Sequence, residues 1–309
     1  MWSLSAAKLF KRCQRQWYYK TCLGNWKAKD PLRREAYLLS KLNSISAWRG
    51  SIVDSAITES IVPTLRTKQP PSLTFAQQKA MDLFDRQLEF ARNHPLHQPE
   101  FSPSKAGLDF AVFHCMEYGG TIPETEIDQA RTEINQALQN LFSMPEVWAE
   151  LRDAQRLVTQ RALIFSHTDE TVRAVPDIIA FYSNKPPLII DWKVHFSGVY
   201  RAWKQLGIYA LALTRGNPHK DFPALTRWEV TDIRLWEVQL LTNQIRRYEL
   251  DEARIAEIDH FMAESISTMQ LIVGDTKKAF IDPTELLTAS SPTTCQSCNY
   301  QSICWESAS

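Results

Sequence analysis

Two short stretches of this chain carry the side chains best suited to chemistry on a charged substrate, Pro176-Asp177 and Asp191-Trp192-Lys193. Asp177 opens the apolar run Ile178-Ile-Ala-Phe-Tyr182, and Asp191 follows the run Leu188-Ile-Ile190. The residues between them, Ser183-Asn-Lys-Pro-Pro187, are turn formers, so the flanks are expected to pair as an antiparallel hairpin. With Tyr182 opposite Leu188, Asp177 stands opposite Lys193 and Ile179 opposite Asp191. Side chains alternate with period two along a strand, which puts Asp177, Asp191 and Lys193 on one face. Two carboxylates there can hold a hard divalent cation and leave positions for water and a phosphate oxygen. The neighbouring ammonium can orient the attacking water and stabilise charge as it develops. The plain alternative is a cross-strand ion pair at a sheet margin.

The surroundings favour chemistry. Gln205 and Tyr209 are four apart, so they share one face of the helix that follows the Lys193 strand. An amide and a phenol there suit a phosphate or a lysine. Upstream, Trp48-Arg49-Gly50-Ser-Ile-Val-Asp54 places a third acid in an apolar helix. A core-facing Asp needs a partner, and a cation is one. The six cysteines are too few for a disulfide scaffold in 309 residues. Cys295, Cys298 and Cys304 crowd the last fifteen residues, while Cys13, Cys22 and Cys115 stand apart. Such clustering points to metal ligation before disulfides. By count, four thiolates would take zinc or an iron–sulfur cluster equally well, although structural zinc favours two close pairs.

The elements that must position these groups read as follows. Ser3 and Ser5 are caps for a helix over 8–20. A second helix covers 45–61, broken by Pro63 and by Lys68-Gln-Pro-Pro71. Helices are also expected over 75–93 and 126–151, with a proline-rich loop over 94–104, so 64–155 reads as a mostly helical lobe. The apolar period then changes from near 3.6 to two. Strands are expected over 157–165, 172–182 and 188–194, then a helix over 198–214 stopped by Arg215-Gly-Asn-Pro218. A hairpin over 233–240 and 245–250 turns at Thr242-Asn243, and a last helix covers 253–272. The fold class is α/β (α+β): a central mixed sheet flanked by helices, with a helical lobe and a cysteine-rich C-terminal tail. Its segments are 1–63, 64–155, 156–285 and 286–309.

Net charge is zero, yet residues 1–50 hold 11 Lys or Arg against 2 acids, so this segment carries +9 and the rest −9. The bases lie among Trp17, Tyr18, Tyr19 and Trp26. Basic groups neutralise phosphates and aromatic faces stack on unpaired bases, so nucleic-acid contact is expected here. The alternative is a solvated helix whose aromatics pack inward. No apolar run approaches the roughly 20 residues of a bilayer span, and residues 1–17 lack a signal-peptide core. No membrane association and a cytoplasmic location are expected.

In order and spacing these residues resemble the PD-(D/E)XK nucleases of RecB and AddB type. They look closest to the CRISPR-associated RecB-like exonucleases that carry an iron–sulfur cluster. Ser3 through Cys13 to Tyr18-Tyr19 is similar to that family's opening segment, and Gly50 to Asp54 to its Gly-x-x-x-His element. Pro176-Asp177 and Asp191-Trp192-Lys193 match the signature. Gln205 and Tyr209 match the Gln-x-x-x-Tyr that follows it, and Cys295, Cys298 and Cys304 match the terminal cysteines. The resemblance implies cleavage of DNA phosphodiesters with Mg2+ or Mn2+. It implies Asp177 and Asp191 as metal ligands, Lys193 as the catalytic lysine, and Gln205 and Tyr209 supporting the site or touching DNA. Cys13 becomes the fourth ligand of a 4Fe-4S cluster, with Cys22 as runner-up and Cys115 a spare. A helicase or CRISPR integrase proteins become candidate partners. Asp54 stands where the family usually has a histidine. A carboxylate there still suits a hard cation as a third ligand, or marks a weakened, DNA-end-binding site.

Overall fold

The computed structural model describes residues 1–97, 103–195, 202–223, 228–274 and 281–306. The chain forms two compact units, each assembled from separated stretches. One is built from residues 45–85 and 124–263, the other from 2–44, 86–123 and 264 onward. The helical stretch 64–155 is thus divided between them.

The first unit contains β1 (Arg156–Thr159), β2 (Leu163–His167), β3 (Glu170–Ala174), β4 (Ile178–Phe181), β5 (Leu188–Lys193), β6 (Arg234–Gln239) and β7 (Gln244–Tyr248). Five of them form one mixed sheet in the order β1-β4-β5-β6-β7. Only β5 and β6 run parallel; the other neighbours are antiparallel. A parallel pair needs a crossover connection, and the Trp203–Arg215 helix lies on it, packed against β2, β3, β5 and β6. Every residue of β4 is buried, as is all of β5 except Lys193. This is why both read as continuous apolar runs instead of alternating ones.

The strands expected over 157–165 and 172–182 are each split in two. Gln160 adopts a left-handed φ of 50° between β1 and β2, and Pro176, which has no N–H to give a ladder, lies between β3 and β4. The outer halves β2 and β3 consequently pair with each other as a separate two-stranded sheet. The hairpin register also differs from the expected one. Ile178 is opposite Ile190 and Ala180 opposite Leu188, two residues away from the predicted pairing. The connection therefore starts at Tyr182. A slip of one residue would have turned every side chain to the other face, whereas a slip of two preserves the face.

Helices depart from expectation at prolines. The Ile45–Ala56 helix continues through a wide π turn, Ile57–Ile61, into Val62–Arg66. Pro63 does not stop it, because in the first turn of the new segment its missing N–H is not needed. The helix ends instead at Lys68, whose φ is 61°. The span expected over 126–151 is two helices, Glu124–Phe142 and Pro145–Asp153, the second starting at its proline. In the second unit the helix expected over 8–20 breaks at Cys13, which is extended (φ −164°, ψ 111°) between Leu4–Arg12 and Gln14–Tyr18. Among the described residues no helix is long and apolar enough to cross a membrane.

Candidate functional site

Asp177 sits one residue ahead of β4, and the observed register continued by one step sets it level with Asp191. Its Oδ2 accepts from the Trp192 amide at 2.8 Å. Asp191 is 1% exposed in the centre of β5. It is ion-paired with Lys193, and its Oδ1 accepts from Gln205 Nε2 at 2.8 Å. The same amide donates to the Tyr209 hydroxyl at 2.7 Å. Helical spacing thus places Gln205 and Tyr209 side by side over the Asp191 carboxylate.

Asp54 comes from the Ile45–Ala56 helix into the same cleft, which Asp177, Asp191, Lys193 and Gln205 also line. The cleft has a volume of about 440 Å³ and is open to solvent. Asp54 Oδ1 is buried with no hydrogen-bond partner. Burial, then the charge of Asp191, pushes its carboxyl up to about 6, against an opposing hydrogen bond from Gln160. Asp177 is likewise held well above the usual carboxylate range, first by burial and then by Asp191 and Asp54. Tyr209 is raised by burial and by both acids. Two carboxylates held above their usual range beside the charge of Asp191 are a set that a hard cation would stabilise. Nevertheless, no group of three acids, histidines or cysteines closes on a metal-binding point among the described residues. Lys193, Gln205 and the Trp192 amide occupy oxygens of Asp177 and Asp191 instead.

Two further residues line the cleft, Arg49 and His195, and a third, Gln160, bonds to its acids; none was singled out from the sequence. Arg49 is 9% exposed, ion-paired with the buried Glu133, and donates to the carbonyl of Val194 just past β5. His195 lines the cleft, held below its usual pKa by burial and then by Lys193. The period-two alternation of Asp191 and Lys193 reaches residue 195, so that signal was present. Gln160 donates through Nε2 to Asp54 Oδ2 at 2.9 Å and to Asp177 Oδ1 at 3.3 Å. No sequence pattern announces it, since its role depends on the break between β1 and β2.

A family profile for the PD-(D/E)XK nuclease superfamily matches residues 1–305. The chain belongs to that superfamily. PD-(D/E)XK enzymes are nucleases that typically use Mg2+ or Mn2+, and the oxygen-only donor set of Asp54, Asp177 and Asp191 suits either hard cation. No curated protein matches the chain. Among solved structures, that of SSO0001 is similar at 15% identity with a TM-score of 0.30, over 72% of this chain and 94% of that one. A similarity of that degree adds nothing to the PD-(D/E)XK assignment.

The second unit of this PD-(D/E)XK protein holds the cysteines. Cys13, Cys295, Cys298 and Cys304 line one small space, together with Tyr19 and Tyr300. Cys22 and Cys115 do not line it, and none of the six cysteines forms a disulfide. Three of the four sulfurs accept from nitrogen: Cys13 from the Gln16 amide at 3.4 Å, Cys298 from the Tyr300 amide at 3.4 Å, and Cys304 from Arg15 at 3.6 Å. Burial, with the three neighbouring thiols, pushes Cys298 up to about 11. Trp17, Tyr18 and Tyr19 are buried, and so is Arg15 at 7% exposure, whereas Trp26 is exposed at 61%. The inward-packing alternative therefore holds for three of the four aromatics, and Arg15 faces the cysteines.

Proposed function

We propose that this chain is a metal-dependent DNA nuclease whose reaction centre is the cleft of Asp54, Asp177, Asp191 and Lys193. The observation that supports it best is the convergence of the PD-(D/E)XK signature residues on a third carboxylate whose Oδ1 is buried and unpartnered. A divalent cation held by the three acids would supply Lewis-acid stabilisation of charge on the phosphate. Lys193 adds a fixed positive charge beside Asp191, suited to orienting the attacking water. Gln205 keeps the Asp191 carboxylate turned toward the cleft, and Tyr209, accepting from Gln205, retains its own proton to donate to a phosphate oxygen. Arg49 ties the end of β5 to the buried Glu133 and so fixes where Lys193 stands.

In the finer reading the chain is a RecB-like exonuclease working on DNA ends or single strands, in company with a helicase or CRISPR integrase proteins. Cys13, Cys295, Cys298 and Cys304 would hold a structural 4Fe-4S cluster. The shared cavity and the nitrogen donors on three sulfurs support that site, because such donors offset the negative charge of thiolates. A second reading, a DNA-end-binding subunit with a weakened site, draws on the protein donors that already occupy the acids' oxygens.

End-labelled single- and double-stranded DNA incubated with protein prepared without oxygen, plus Mg2+ or Mn2+, tests the main reading. The parent protein is expected to cut. Asp191→Ala and Lys193→Ala are expected to abolish cleavage while gel-shift binding persists. Equal rates in parent and both variants would overturn the catalytic assignment. Binding with no cleavage by the parent would favour the second reading.

A further inference from the structure

We propose that Gln160 is a positioning residue of the cleft, holding the Asp54 and Asp177 carboxylates in register for cation binding; this rests on the nuclease reading above. Three contacts join it to the acids. Its amide N–H donates to the Asp177 carbonyl at 3.1 Å, and its side-chain Nε2 reaches Asp54 Oδ2 at 2.9 Å and Asp177 Oδ1 at 3.3 Å. The carboxamide thus spans two acids that come from different elements, the Ile45–Ala56 helix and the turn before β4.

The backbone makes this arrangement informative. Gln160 has a φ of 50°, in the left-handed region that glycine adopts freely and a β-carbon disfavours. The residue is exposed, so no core packing compensates for that conformation. What the conformation achieves is to end β1 and turn the side chain back over the acids. A strained residue with a polar side chain directed into a site is a recurrent mark of function.

The oxygens that Gln160 touches also matter. It occupies Asp54 Oδ2 and leaves Oδ1, which is buried and has no other partner. An orienting hydrogen bond to the distal oxygen of a ligating carboxylate is what outer-shell partners of metal sites provide, and losing one typically costs about 10- to 100-fold in affinity. Gln160 lies thirty-one residues before Asp191 and outside every signature match.

The test is Mn2+ binding, without DNA, to the full chain prepared without oxygen and freed of divalent cations but not of iron, followed by electron paramagnetic resonance of the free ion. Gln160→Gly removes the amide yet suits the left-handed backbone, so its melting temperature should equal or exceed the parent's. Its Mn2+ affinity should fall about 10- to 100-fold. Gln160→Asn retains a carboxamide and tolerates the same backbone, and is expected to recover part of the loss. With Asp54→Ala already present, Gln160→Gly should cost less, since only its side-chain contact with Asp177 then remains to be lost. Unchanged or tighter Mn2+ binding by Gln160→Gly would overturn the proposal while leaving the nuclease reading intact. A parent protein that binds no Mn2+ would overturn both.

Discussion

Asp54 is the residue at which stability and chemistry pull in opposite directions. Its carboxyl is raised from an ordinary 3.8 to about 6, chiefly by burial and then by Asp191. Between those two values the folded protein binds more protons than the unfolded chain. Without a cation, stability should therefore fall as pH rises through about 4 to 6 and stay low above it, by up to about 3 kcal/mol for this group. Asp54→Asn keeps an acceptor for Gln160 and removes the buried charge. Without divalent cation, Asp54→Asn is expected to melt higher than the parent at pH 8 and close to it at pH 4, and with Mg2+ or Mn2+ added it is expected to be inactive. A scan of melting temperature against pH checks this; a parent-like curve in the variant would remove Asp54 from the account. Metal affinity of the parent should run the other way, rising with pH through about 6 as the carboxylate forms.

At the scale of elements, the site depends on how the Trp203–Arg215 helix is seated, because Gln205 and Tyr209 ride on it. Glu237, buried at 1% exposure in β6, accepts from the Ala202 amide at 3.2 Å at the start of that helix and from the Tyr248 hydroxyl at 2.6 Å. Gly207, on the turn after Gln205, lets the helix approach closely: a β-carbon there would overlap Ile258 Cδ1 and touch Leu250 Cδ2 at 3.3 Å. Gly207→Val is expected to cost about 1–3 kcal/mol by overpacking and to lower cleavage further by displacing Gln205 from Asp191. Denaturant unfolding beside a cleavage assay separates the two effects. Full activity in a destabilised Gly207→Val would show that this seat does not set the position of Gln205.

At the scale of the whole molecule, the four cysteines and the basic N-terminal segment carry predictions separate from the acids of the cleft. Ser substitution of Cys13, Cys295, Cys298 or Cys304 should each remove brown colour and iron, lower the melting temperature and open the tail to protease, whereas Cys22→Ser and Cys115→Ser should keep the colour. Stoichiometric zinc in place of iron would overturn the cluster. The basic N-terminal segment makes a separate prediction. Neutralising the exposed Lys11, Arg12 and Lys20 should lower the slope of log affinity for DNA against log salt by about 0.7 to 0.9 for each lost phosphate contact. Arg15 is excluded from that set by its burial beside Cys304.

Periodicity alone determined much of this protein. The apolar runs of β4 and β5, the hairpin of β6 and β7 and the helix spacing of Gln205 and Tyr209 are all legible locally, because period and turn chemistry act over a few residues. The shared face of Asp177, Asp191 and Lys193 was legible too, and it survived a two-residue error in register because the strand period is two. Tertiary structure decided the rest. The splitting of the long strands at Gln160 and Pro176, the passage of a helix through Pro63 and the kink at Cys13 all follow from where neighbouring elements can pair or pack. The burial of Arg15 and the roles of Arg49 and Gln160 rest on contacts with residues 289, 84 and 106 positions away. A local pattern carries no record of such distant partners; only the folded chain brings them within hydrogen-bonding reach.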